Sequence, residues 1–130
     1  MKKSIGTYKG NKLYLNIGSY RDNGRIYIGI DTNKESYSNL TINLSNLMIP
    51  DDNYIFVSGD ITRELRNFLE KKRIVSEALG TYQYNMGRYD IAKVDFNKLK
   101  EYDPKGFKEF NDMKIKRYGL DETDDIDFKI

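Results

Sequence analysis

The chain has 130 residues, 38% hydrophobic and 13% aromatic, with a formal net charge of +2. That is the length of one domain with enough apolar content to fold, and a balance too near neutral for charge alone to argue for nucleic acid. It contains neither cysteine nor histidine, which rules out disulfides, thiolate zinc sites, cysteine nucleophiles and the commonest general base.

No apolar run approaches a membrane span, and Met1-Lys2-Lys3-Ser4 precedes no hydrophobic signal core. A cytoplasmic location without membrane association is the expectation. Ile5 to Tyr8 reads as a short strand that turns through Gly10-Asn11 into a longer one. Lys2, Lys3, Lys9, Lys12, Arg21 and Arg25 against Asp22 make this segment basic. Such a patch either meets phosphates or guards a sheet edge against aggregation.

From Leu13 to Leu44 three runs alternate apolar and polar residues: Leu13, Leu15 and Ile17; then Ile26, Ile28 and Ile30; then Leu40, Ile42 and Leu44. A period of two predicts a three-stranded antiparallel meander with one buried face. Asn23-Gly24 suits a two-residue hairpin loop, where both positions need φ > 0. That loop sets Ile17 opposite Ile30, Gly18 opposite Gly29 and Tyr20 opposite Tyr27, and gathers the aliphatics on one side. The other face carries Tyr14, Tyr20, Arg25 and Tyr27. These form either a solvated face or a contact surface, since Tyr and Arg are frequent at binding hot spots.

Leu47, Met48 and Ile49 are expected to tuck under the sheet before a turn at Pro50-Asp51-Asp52-Asn53, and Tyr54 to Val57 to form a short strand. A helix is predicted from Asp60, with that residue as N-cap and a stripe of Ile61, Leu65, Phe68 and Leu69. Arg63, Glu64, Arg66, Asn67 and Glu70 then lie toward water, and the stripe covers the meander. Full burial would contribute roughly 1.5–3 kcal/mol per apolar residue before entropy. It would also make Phe68→Ala cost about 3–5 kcal/mol.

Ile74 to Leu79 is short, and Gly80 closes it. Gly80 to Tyr89 reads as an aromatic, glycine-bearing loop, with Tyr82, Tyr84 and Arg88 as candidate binding residues. It has neither the Gly-Lys-Ser/Thr ending of a P-loop nor the context of a dinucleotide fingerprint. Tyr89 to Phe96 is predicted as a strand with Ala92, Val94 and Phe96 facing inward. Asp103-Pro104 fits an N-cap and first-turn proline of a shorter C-terminal helix whose face is Phe107, Phe110 and Met113. Lys105, Lys108, Lys114, Lys116 and Arg117 make the rest of that helix basic. Gly106 weakens it by about 1 kcal/mol relative to alanine. The elements amount to an α+β fold: an antiparallel meander sheet of four to five strands, covered on one face by a helix. Residues 1–118 form one domain, and 119–130 an acidic tail.

Tyr20-Arg21-Asp22-Asn23-Gly24-Arg25, Leu40-Thr41-Ile42-Asn43-Leu44, the Leu65–Leu69 helix and the Gly80-Thr81 step leading to Gly87-Arg88-Tyr89 together carry a resemblance. From Leu13 to about Phe96 the chain resembles a domain-of-unknown-function family of small proteins from phages, plasmids and mobile elements of gut bacteria. The resemblance supplies no catalytic residue and no cofactor. It implies a setting in which small proteins counter host defences by binding a nuclease complex or its signal.

Four functions follow as expectations. The first is a non-enzymatic binding protein that inhibits a bacterial defence system such as CRISPR by protein–protein contact. The second is a sponge for a nucleotide second messenger, with Tyr82, Tyr84, Arg88, Lys12 and Arg25 supplying stacking and cations. A nucleic-acid-binding or DNA-mimicking accessory protein is the third. An enzyme using Asp51, Asp52, Asp90 or Asp95 around Mg²⁺ is the last, and the one the sequence favours least. A homodimer covering the tyrosine face is a further expectation.

Overall fold

The computed structural model describes residues 2–118, with side chains through Lys114. The expected acidic tail, 119–130, and the basic side chains of Lys116 and Arg117 lie outside that range. Among the described residues the fold is α+β, built from two antiparallel four-stranded sheets and three helices.

The first sheet comprises β1 (Gly6–Tyr8), β2 (Asn11–Ser19), β3 (Ile26–Asp31) and β4 (Ser36–Asn39), in that spatial order. The meander forms, and Leu13, Leu15, Ile17, Ile26, Ile28 and Ile30 are all buried. Its register differs from the expected one by two residues: Ile17 faces Ile28, Leu15 faces Ile30, and Gly18 faces Tyr27. The cause is the loop. Tyr20 N–H donates to the Arg25 carbonyl and Gly24 N–H to the Tyr20 carbonyl, both within 2.9 Å, so four residues rather than two make the turn. Gly24 has φ +74°, while Asn23 is not among the residues with positive φ. Asn23 instead uses its side-chain oxygen to accept from Arg25 N–H. A four-residue loop preserves the parity of a two-residue one, so every aliphatic side chain stays on the core side.

The third alternating run behaves differently. Leu40 N–H donates to the Ile28 carbonyl of the first sheet, and the Leu40 carbonyl accepts from Ser58 N–H. The strand thus changes sheets at Leu40, which is how chains turn the corner between packed sheets. Thr41 closes the junction: it is buried, and its Oγ1 accepts from Ile28 N–H at 3.1 Å. Beyond it, β5 (Thr41–Ile42) joins a second sheet with β6 (Tyr54–Val57), β8 (Gly87–Lys93) and β7 (Gly80–Tyr84), in the order β5-β6-β8-β7. The expected single sheet of four to five strands is therefore two.

Residues 80–89, read from sequence as a loop, form the β7–β8 hairpin. Tyr82 faces Tyr89 and Tyr84 faces Gly87 across a two-residue turn, where Asn85 takes φ +55°. Thr81, Tyr82 and Tyr84 suit a strand, and the flanking glycines had masked that propensity.

Three helices complete the fold: α1 (Arg63–Lys71), α2 (Phe96–Tyr102) and α3 (Pro104–Tyr118). The cap of α1 is Thr62, not Asp60; its Oγ1 accepts from Leu65 N–H at 3.2 Å. Leu65 and Leu69 are buried as expected, but Phe68 is only half-buried, and Arg66 is buried rather than turned to water. The strand expected to reach Phe96 stops at Lys93. Asp95 accepts from Asn97 and Lys98 N–H and caps α2, so Phe96 opens a helix. There its ring meets Phe107 and Phe110 at 5.1 and 5.9 Å. Met113, expected on the same face, is exposed. The C-terminal helix spans 15 residues against 9 for α1, so it is the longer of the two. It shares the covering of the meander by packing on β2.

The main core lies between the layers and joins Leu13, Leu15, Ile17, Ile28 and Ile30 with Ile55, Val57 and Ala92 of the second sheet and Leu65, Leu69, Leu99 and Phe110 of the helices. A smaller cluster of Leu44, Phe56 and Ile91 sits on the second sheet's other face, with Ile42, Leu47, Ile49, Tyr54, Tyr84 and Tyr89 against it.

Candidate functional site: two sheet faces and an arginine cleft

The four residues expected on the meander's open face are placed as follows. Tyr20 and Tyr27 meet edge to face, their centroids 5.7 Å apart. The Tyr20 hydroxyl bonds Thr41 Oγ1 at 2.9 Å, and the Tyr27 hydroxyl donates to Asn39 at 2.9 Å. Burial raises both phenols above their ordinary pKa, so they stay neutral. Arg25 donates to the Leu44 carbonyl at 3.1 Å and to the Leu47 carbonyl at 2.5 Å, pinning the segment that follows β5. Tyr14 lies opposite Asp31, away from the Tyr20–Tyr27 pair. Three of the four side chains are thus occupied inside the molecule.

Three lysines of the basic N-terminal segment are matched as well. Lys3 pairs with Glu101 at 2.6 Å, Lys9 with Glu64 at 3.4 Å and Lys2 with Asp103 at 3.7 Å. Lys114 pairs with Asp52. Of the carboxylates considered for Mg²⁺, Asp95 is a helix cap, Asp52 takes Lys114, and Asp90 takes Arg66 and Thr81.

The hairpin residues divide. Cross-strand partners share a face and neighbours alternate, so Tyr82, Tyr84 and Tyr89 point one way and Arg88 and Asp90 the other. The proposed joint site of Tyr82, Tyr84 and Arg88 does not assemble. On the tyrosine side, Tyr82 stacks edge-on over Phe56 at 5.6 Å yet remains 41% exposed. Tyr84 is half-buried, and its hydroxyl accepts from Asn46 at 3.4 Å, which ties the 44–49 segment beside β7. Met48 at 84% and Met86 at 101% exposure project into solvent from the two adjoining turns. Met48, expected beneath the sheet, is therefore outside it, while Leu47 and Ile49 do tuck in.

At the end of the sheet, reaching to Tyr89, a cleft of about 230 Å³ is lined by Arg63, Arg66, Arg88, Asp90 and Ser58, among others. Arg66 Nη1 donates to Asp90 Oδ2 at 2.7 Å, and Thr81 Oγ1 donates to Asp90 Oδ1 at 2.8 Å. The Arg66 bond above all holds the Asp90 carboxyl below its ordinary pKa. Sequence reasoning missed Arg63 and Arg66; the Arg66–Glu70 spacing of four was the available signal. A hollow of about 650 Å³ beside Arg73 and Lys93 mixes those two cations with the three carboxylates of Glu70, Glu77 and Asp95, so it has no positive excess.

No helix is long and apolar enough to cross a membrane among the described residues. No curated protein and no solved structure matches the chain. A family model does, over residues 14–114, from β2 through α2 and most of α3, beyond the Phe96 boundary that the turn and core motifs had suggested. The chain belongs to that family, the domain of unknown function DUF4313.

Proposed function

We propose that this chain is a non-enzymatic binding protein of a mobile genetic element, inhibiting a bacterial defence system, as anti-CRISPR proteins do, by protein–protein contact. One observation supports the contact surface: Tyr82, Met86 and Met48 stand exposed on and beside the second sheet. Tyrosine gives large contact area at low entropic cost, and methionine adapts to irregular partner surfaces. The contact therefore belongs on the outer face of the second sheet rather than on Tyr14, Tyr20, Arg25 and Tyr27.

The test is binding to a panel of purified bacterial defence nuclease complexes, with target cleavage as the second readout. The wild type should bind one of them and slow its cleavage. Tyr82→Ala and Met86→Glu should each weaken that binding by about 2 kcal/mol or more, the scale of a hot-spot residue. A panel without binding, or variants that bind as the wild type does, would contradict the proposal. A second reading, capture of a phosphorylated ligand, retains Arg88 from the residues first assigned to it, because Tyr82 and Tyr84 project from the other face.

A further inference from the structure

The cleft between the end of β6, the start of α1 and Arg88–Asp90 of β8 is unusual in its charge. Its lining holds Arg63, Arg66 and Arg88 against one carboxylate, Asp90. Asp90 offsets one of the three guanidinium charges, which leaves the space net positive and favourable to an anion. The nine-residue α1 begins at the cleft with Arg63, and its N-terminal dipole adds positive potential.

A second observation is independent of that count. Arg66 is only 7% exposed. Its Nη1 reaches Asp90, and its Nε lies 3.5 Å from Glu70 without forming a hydrogen bond. Both Nε and Nη2 are buried with no hydrogen-bond partner. Glu70 offsets charge at Nε, but buried donors without a hydrogen bond are costly and call for a partner such as a ligand, an ion or water. Arg66 contributes to the cleft lining, so its charge and its two unbonded nitrogens lie just beneath any ligand seated there.

We propose that this cleft is a binding site for a phosphate group, gripped by Arg63 and Arg88 from the rim, with the buried Arg66 adding positive charge beneath it. Guanidinium forks match phosphate oxygens two at a time, which a point-charge lysine cannot do. A space of about 230 Å³ falls below the range of about 300–1,000 Å³ typical of whole-ligand pockets. It therefore holds the phosphate of a free anion or of a monoester whose remainder extends outside. The site is independent of the protein-contact reading, since Arg88 projects from the face opposite Tyr82.

The test is a titration followed by amide chemical shifts in a buffer free of other oxyanions, using inorganic phosphate, adenosine monophosphate and adenosine as probes. Saturable shifts with phosphate, confined to residues 58–66 and 88–90, are the expected result. Arg63→Ala and Arg88→Ala, both at exposed positions, should each weaken binding by about tenfold. Lys34→Ala, remote from the cleft, should leave it unchanged. Tighter binding of adenosine monophosphate than of phosphate identifies a nucleotide source, and equal binding identifies the phosphate alone; both support the site. Absence of saturable shifts, adenosine binding as well as its monophosphate, or equal losses in Lys34→Ala would overturn it.

Discussion

Asp103 and Gly106 show how much one residue decides. Asp103 is 2% exposed; its Oδ2 accepts from Ile17 N–H at 2.8 Å, and its Oδ1 accepts from Gly106 N–H at 3.2 Å. One carboxylate thus caps α3 and ties it to β2. A Cβ added at Gly106 would lie 2.5 Å from the Ile17 carbonyl oxygen and would also clash with Asp103 Oδ2. Gly106→Ala should therefore lower stability by about 1–3 kcal/mol through overpacking, against the gain of about 1 kcal/mol that helix propensity alone predicts. The midpoint of urea denaturation decides the sign, and a rise would refute the close approach. Propensity was legible in the sequence at this position; the 2.5 Å to another element's backbone was not, because it is a property of packing. Arg66 is a similar case. Its place next to Leu65 was plain, but burial of a charge required Asp90 from a distant strand.

At the scale of elements, the parity of the meander was readable because alternation fixes the buried face whatever the loop length. The register was not, since Asn23-Gly24 serves a four-residue loop as well as a two-residue one. The change of sheet at Leu40 left no mark in the alternation, which continues through Ile42 and Leu44 into a different core. Arg25 fastens the segment after that change. Arg25→Ala should cost about 1.5–3 kcal/mol, the worth of charged hydrogen bonds, and should speed amide exchange at 44–49. Unchanged exchange there would contradict the clamp. The end of α1 supplies another test. Arg73 N–H donates to the Glu70 carbonyl and Ile74 N–H to the Leu69 carbonyl, a Schellman motif with arginine at φ +61° where glycine is favoured. Arg73→Gly should raise stability by about 1 kcal/mol by relieving left-handed strain, and a lower thermal midpoint would refute this.

For the whole molecule, the two sheets divide the work. The first engages Tyr20, Tyr27 and Arg25 internally, and the second presents Tyr82 on its outer face and the arginine cleft at the end of its core-facing side. The Arg66–Asp90 pair joins α1 to the arginine face. Because its folded-state pKa is depressed, Asp90 contributes stability above the unfolded value of 3.8 and loses it as pH falls through the folded one. The stability gap between wild type and Asp90→Asn should thus be present at neutral pH and close on acidification below 3.8. A gap that stays constant would contradict the ion pair. The division itself is tested most directly by hydroxyl-radical footprinting of the free protein, read residue by residue by mass spectrometry. Fast modification of Met48, Tyr82 and Met86 is expected, with Tyr20 and Tyr27 slower. Tyr20 and Tyr27 reacting as fast as Tyr82 would contradict it.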